Sequence, residues 1–392
     1  MLAMNPISRR EFLRAAAAAA LAASSAPVFA ARHAHAAGAL LPAAPKRKRI
    51  FVGSGSENGI LAYHWEPATA ELIPIGPAAK VTEVRWIAPS FMNEFLFVAS
   101  SLDSFNGKPT GEVSSYRLLH GELQPVSAVN SASTGTCHVA LDRTGRVLIA
   151  ADYAGGSAAS YRVHQGELSE AVWQEHYTAH GPNKERQEAA HAHFASFSPD
   201  NRYAYINDLG GDAIHIYKVN LNTAELTPAG TYHSAPGAGP RTLHFHANSH
   251  SAYSVNELDS MVDVLEWNRA DGSLTLVKRI PLLPEGYTGA TRGCDVVFSL
   301  DGRFAYFANR DNNFLYSFRV DVKTGELTPI RRSSCGGKTP RNLVLDPTEH
   351  WLLVANQDSN WISVFARNPE TGELAEECKN YPAATPMRIL FT

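Results

Sequence analysis

One glutamate, one histidine and a set of arginines stand at matched places of a repeating pattern in the second half of this chain: His193, Arg241, Glu257, Arg310 and Arg341. Histidine and carboxylate side chains take protons from water, and guanidinium groups hold anions through paired N–H donors. The set therefore offers a base beside a cationic clamp. Charged groups at such places are costly to bury unless paired, and a structural strand could carry small or apolar residues there instead. Two readings follow: a substrate site where the repeats converge, or an ion-pair network between neighbouring repeats in which Glu257 is matched with Arg241 or Arg310.

The elements that would bring these residues together are short β-rich runs punctuated by Gly, Asn, Asp and Pro, such as Ile214-His215-Ile216-Tyr217 and Trp351-Leu352-Leu353-Val354. A turn of the form small-acidic-Leu recurs seven times at about fifty-residue spacing, from Ala70-Glu71-Leu72 through Gly121-Glu122-Leu123 to Gly372-Glu373-Leu374. Out of phase with it, an apolar strand meets an Asp-x-x-Gly-like turn and a second strand ends in Asn or Asp, as in Leu141-Asp142 to Asp152 and Phe298-Ser299 to Asn309. This pattern predicts an all-β, seven-bladed β-propeller of four-stranded blades. The chain enters at a second strand, Arg49 to Gly55, and Pro386 to Phe391 repeats the first-strand pattern, so the C-terminal strand should close the first blade.

In each blade the start of the innermost strand lies beside the end of the second, which puts both positions at one mouth of the central channel. Alignment of the repeats matches Arg85 with Ser101, Cys137 with Tyr153, His193 with Leu209, Arg241 with Glu257, Cys294 with Arg310, Arg341 with Gln357 and Met387 with Ser56. His138, His191, Tyr153, Arg341 and Gln357 are near enough in this scheme to be substrate contacts. A metal site from His191, His193, His244 and His246 is not expected, because strand alternation turns His244 and His246 to the face opposite His193. Arg332, Lys338 and Arg341 around Gly336-Gly337 form either an anion-binding group or a solvated cluster.

His191-Ala192-His193, Gly239-Pro240-Arg241, Asn256-Glu257-Leu258-Asp259-Ser260, Asn309-Arg310, Lys338-Thr339-Pro340-Arg341-Asn342 and Asn356-Gln357-Asp358-Ser359 resemble the motif series of the propeller-type lactonases. That family includes bacterial propeller-type 6-phosphogluconolactonases and is similar in fold to fungal carboxymuconate-lactonising enzymes. The resemblance runs from Arg49 to the C-terminus, with Cys294-Asp295 and Asn313 as departures. It implies a catalytic group of His193, Arg241, Glu257 and Arg310, with either Glu257 or His193 as the base and the arginines stabilising the oxyanion. The implied reaction is metal-independent hydrolysis of a sugar-acid lactone, with no cofactor. A cycloisomerase of an unsaturated dicarboxylate and a non-enzymatic periplasmic binding platform are the alternatives.

A formal net charge of −3 over 392 residues supplies no basic field for a nucleic acid or an anionic membrane, so a small uncharged or anionic metabolite is the expected partner, which the resemblance implies is a lactone; a monomer is expected. Residues 1–36, with Ser8-Arg9-Arg10-Glu11-Phe12-Leu13 before an alanine run, read as a twin-arginine signal peptide, and 37–48 as a linker to a single domain over 49–392. The destination is the periplasm or the medium. An oxidising compartment permits disulfides. The spacing of Cys137, Cys294, Cys335 and Cys378 defines no pairing and excludes a zinc knuckle.

Overall fold

The computed structural model describes residues 48–392. The expected signal peptide and all of the linker but Lys48 lie outside them. Lys48 itself opens the first described strand, Lys48–Ser54, one residue ahead of the expected domain start.

The described chain forms seven antiparallel sheets in ring order, and its one helical segment is a single 3-10 turn at Gln357–Ser359. Inner strands of the second to seventh blades are Val84–Pro89, Thr136–Leu141, Ala192–Phe197, Pro240–Phe245, Gly293–Phe298 and Pro340–Leu345. The first blade takes its inner strand from the other end of the chain: Pro386–Phe391 pairs with Lys48–Ser54, Ile389 opposite Val52 and Leu390 opposite Phe51. Six blades have four strands, as expected. In the third, the outer strand is broken into Glu167–Leu168 and Trp173–His176, because Glu170 and Ala171 leave the ladder between the Ser169 N–H bond to Arg162 (3.0 Å) and the Val172 N–H bond to Ser160 (2.8 Å).

Apolar residues collect between blades, with one buried cluster per interface among the described residues. Tyr253, Val255 and Val264 of the fifth blade meet Phe307, Tyr316 and Phe318 of the sixth, and the seventh meets the first through Leu353, Ile362, Ile50 and Trp65. The recurrent small-acidic-Leu turns have a second duty here. The residue before the acidic position lies at positive φ in all seven turns, from 56° at Ala70 to 84° at Gly121, a conformation that favours glycine. Four of their carbonyls accept hydrogen bonds from tyrosines of the preceding blade: Tyr205 to Gly272 (2.7 Å), Tyr253 to Gly325 (2.6 Å), Tyr306 to Gly372 (2.8 Å) and, across the closure, Tyr381 to Ala70 (2.7 Å). At Gly372 a β-carbon would stand 2.2 Å from the Phe304 ring, so this docking requires glycine.

Closure of the ring thus rests on one short strand whose Met387, Ile389 and Leu390 are all buried. Burial of each such side chain is worth about 1.5–3 kcal/mol, and a domain's whole stability is about 5–15 kcal/mol. A chain ending at Thr385 should lose cooperative thermal unfolding. A melting profile like that of the intact protein would contradict the closure.

Candidate functional site

The ladder between inner and second strands is irregular at the same place in every blade. Its register skips Arg85, Cys137, His193, Arg241, Arg341 and Met387, and in the sixth blade Cys294 and Asp295 together. A β-bulge re-aims the extra residue, so seven bulges set a ring of side chains at one mouth of the channel. The bulge also displaces the backbone pairing expected from the repeats. Glu257 donates its N–H to Gly239 (2.8 Å) rather than facing Arg241, and Arg310, Tyr153 and Gln357 bond in the same way to Arg292, Gly135 and Thr339. The side chains of Glu257 and Arg241 nonetheless meet.

Glu257 is the centre of the site. Its side chain is 1% exposed, and both oxygens are engaged by cations: Oε1 by Arg186 Nη2 at 2.5 Å, Oε2 by Arg310 Nη2 at 2.5 Å and Arg241 Nε at 3.1 Å. The two contacts to Oε2 lie within ion-pair range without the alignment of a hydrogen bond, so Arg241 Nε, Arg310 Nε and Arg310 Nη2 are buried with no hydrogen-bond acceptor. Arg241 Nη1 donates to the carbonyl of Cys294 (2.5 Å), which fixes the direction of the guanidinium. Both sequence readings meet here: the ion-pair network exists, and it leaves donors unused that an anionic oxygen can take.

Burial alone would raise the Glu257 carboxyl, but Arg310, Arg241, His193 and Arg186 outweigh it and hold the group well below the usual carboxylate range. His193 is driven the other way. Burial, then Arg241, push its imidazole well below the ordinary histidine value, so it is neutral near pH 7. Its Nδ1 is buried without a partner, and its ring meets the Tyr153 ring edge-on at 5.6 Å. Arg341 makes no ion pair among the described residues; burial and the charges of Arg310 and Arg241 bring it down to about 9.

His193, Arg241, Glu257 and Arg310 are therefore brought together, with Arg341 beside them. Tyr153 joins through Arg186, which donates to its hydroxyl at 3.0 Å. His191 supports from behind: it stacks on Tyr153 at 4.4 Å, its Nδ1 lies 2.9 Å from the Tyr153 carbonyl, and its Nε2 lies 3.3 Å from Glu188. His138 sits one layer deeper, packed between Trp86 and Phe194 at 4.4 and 3.9 Å, and shares with His193, Arg241 and Arg341 the lining of one small cavity. Gln357 starts the 3-10 turn and its side chain has no partner among the described residues. Arg332 lies over the Phe314 ring and Lys338 is exposed, so neither joins Arg341.

Two features were beyond the repeat alignment. Arg186 belongs to the connection between the third and fourth blades, where no other blade supplies a counterpart; its only sequence signal is a cation shortly before the His191-Ala192-His193 motif. His244 does not turn away from the channel as alternation implied, because the bulge at Arg241 shifts the register and His244 lines the far half, 3.3 Å from Asp295. His246 is remote, with its Nε2 2.8 Å from the Gly302 carbonyl. Among the described residues no three His, Cys, Asp or Glu side chains form a group suited to a metal ion. All four cysteines are free thiols, and Cys137 points at the carbonyl of His193 (3.3 Å).

A family model described as a seven-bladed β-propeller lactonase matches residues 49–391. The chain is 32% identical over 330 residues to a 6-phosphogluconolactonase of Bacillus subtilis, covering 83% of this chain and 92% of that protein. A 6-phosphogluconolactonase of Formosa agariphila is 31% identical over 83% of this chain and 94% of its own. Among solved structures, the periplasmic gluconolactonase PpgL of Pseudomonas aeruginosa superposes with a TM-score of 0.83 at 30% identity, covering 88% of this chain and 99% of that one.

The ion pairs give Glu257 a measurable pH signature. Its folded pKa lies below the ordinary 4.5, so its contribution to stability is full above about pH 4.5 and is withdrawn as pH falls below that value. Replacing it by Gln strands buried guanidinium charge and should cost about 3 kcal/mol at pH 7. The melting-temperature gap between wild type and Glu257→Gln should narrow steadily below pH 4.5. Parallel curves down to pH 3 would show that the carboxylate is not held by its arginines.

Proposed function

This chain belongs to the seven-bladed β-propeller lactonase family and is a lactone-hydrolysing enzyme, and from that premise we propose how its site works and on what. The base is His193. Both oxygens of Glu257 are occupied by arginines and its proton affinity is depressed, whereas His193 is neutral with a free nitrogen at the mouth. That contrast carries the assignment. A water molecule fits the cavity of about 40 Å³ that His193, Arg241, Cys137 and Arg341 line.

In the reaction, the lactone carbonyl oxygen lies against the unused N–H groups of Arg310 and Arg241. His193 Nδ1 takes a proton as water attacks the carbonyl carbon, and the oxygen becomes an anion held by the two guanidinium groups. The tetrahedral intermediate then expels the ring oxygen. His193 returns its proton to that leaving oxygen, and the product is an open-chain hydroxy acid. The repulsion that keeps His193 neutral at rest falls once an oxyanion sits on the arginines, which raises its basicity when the proton moves. Glu257 and Arg186 orient the clamp without exchanging protons. No metal is required in this scheme.

The substrate class is an aldonolactone. The relatives favour ring opening by water over the cycloisomerase and platform readings. Export by the twin-arginine leader would separate the enzyme from cytosolic sugar phosphates and favours an unphosphorylated or carboxylated lactone; the similarity to a periplasmic gluconolactonase supports that choice. Among the described residues no helix is long and apolar enough to cross a membrane.

His193→Gln should lower kcat for gluconolactone at least about 10²-fold while KM and the melting temperature change little. The wild-type kcat/KM should fall on the acid side with a midpoint below the ordinary histidine value of about 6.5, and the variant should lose that limb. Unchanged kcat in a folded His193→Gln protein would remove His193 as the base.

A further inference from the structure

The channel has a second mouth with chemistry of its own. Beneath the catalytic ring, Trp86, His138, Phe194 and His244 form a continuous run of tilted ring contacts, at 4.4, 3.9 and 5.1 Å between centres. Beyond it lies a cavity of about 560 Å³ at the turn end of the inner strands. Its wall is left wide by small or short residues, among them Ala88, Ala140, Ser196 and Val344. The volume is in the range of small-molecule sites.

Three groups in this cavity are poised for a ligand. Arg388 lies over Trp86, its guanidinium carbon 4.2 Å from the ring centre; its Nε is 3.5 Å from the Ile87 carbonyl, and it makes no ion pair among the described residues. Burial brings its guanidinium down to about 10, the mark of a cation without adequate solvation or partner. His138 accepts the Ala195 N–H at Nδ1 (3.2 Å), so its neutral ring carries the proton on Nε2, which is buried without an acceptor. Asp295 is held ionised: burial raises it, but His244 and then Asn342 bring it down to about 2, and Asn342 also donates to it at 2.8 Å. Of the Cys294-Asp295 departure from the family pattern, Asp295 thus serves this mouth, while the Cys294 carbonyl holds Arg241 at the catalytic one.

We propose that the far mouth is a second binding site, for a small hydroxylated carboxylate whose carboxylate pairs with Arg388 and whose hydroxyl groups meet Asp295 and His138. The apolar wall of Val297, Phe298 and Val344 suits the C–H surface of such a chain. The site stands on residues that take no part in the proposed lactone chemistry, so the two claims fail separately.

Isothermal titration with sodium gluconate, and with sorbitol as its uncharged counterpart, tests the site in the mature protein. Two variants accompany the wild type: Arg388→Met removes the cation, and Ser196→Leu fills the cavity while leaving every charge in place. Gluconate should bind the wild type, and each variant should weaken one class of that binding at least tenfold while lactone hydrolysis stays within twofold of wild type. Sorbitol should not compete there. Gluconate binding that is absent from the wild type, identical in both folded variants, or matched by sorbitol would overturn the proposal.

Discussion

Seven sheets closed into a ring bring seven inner strands around one axis, and the residues that open those strands must share a space with little water in it. Charge placed there is costly unless another charge answers it. Here the answer is one carboxylate, Glu257, at the exit of the second strand of the fifth blade, which meets Arg241 of its own blade, Arg310 of the sixth and Arg186 from the connection between the third and fourth. The β-bulge at the start of each inner strand makes this possible, because it puts one extra side chain per blade at the axis. Interblade packing, the turns that dock on neighbouring tyrosines and the closing strand all serve to keep those side chains at fixed distances.

The same arrangement divides the chemical labour. A carboxylate surrounded by three guanidinium groups is a poor proton acceptor and a good scaffold. The neutral imidazole of His193 beside it is the opposite, and the cations that depress its basicity at rest are the ones a reacting carbonyl would neutralise. Preorganised donors with no acceptor in the resting protein need no rearrangement when charge develops.

The fold was legible because its signals are local and repeat seven times: the residue before the acidic turn position needs positive φ, and inner strands carry apolar alternation. Four residues of the candidate site, His193, Arg241, Glu257 and Arg310, were legible for the same reason, since a histidine or glutamate stands out where other repeats place neutral residues. What was hidden is whatever the repeat does not encode. Arg186 lies in a connection with no counterpart, the bulges leave no mark in composition, and the resulting shift turns His244 into the channel against simple alternation. The broken outer strand of the third blade was hidden as well, because Gly166-Glu167-Leu168 keeps the usual turn signature and the break falls after it.

The aromatic layer of Trp86, His138 and Phe194 separates two mouths that are both charged but differently built, one around a saturated carboxylate and one around an unpaired arginine. The proposed lactone opening belongs to the first. The most direct measurement of that assignment is the rate of gluconolactone hydrolysis by the purified mature protein before and after exhaustive treatment with a chelator. Full turnover in chelator is the predicted result; loss of activity that returns on adding a divalent cation would contradict a histidine-activated water held by arginines alone.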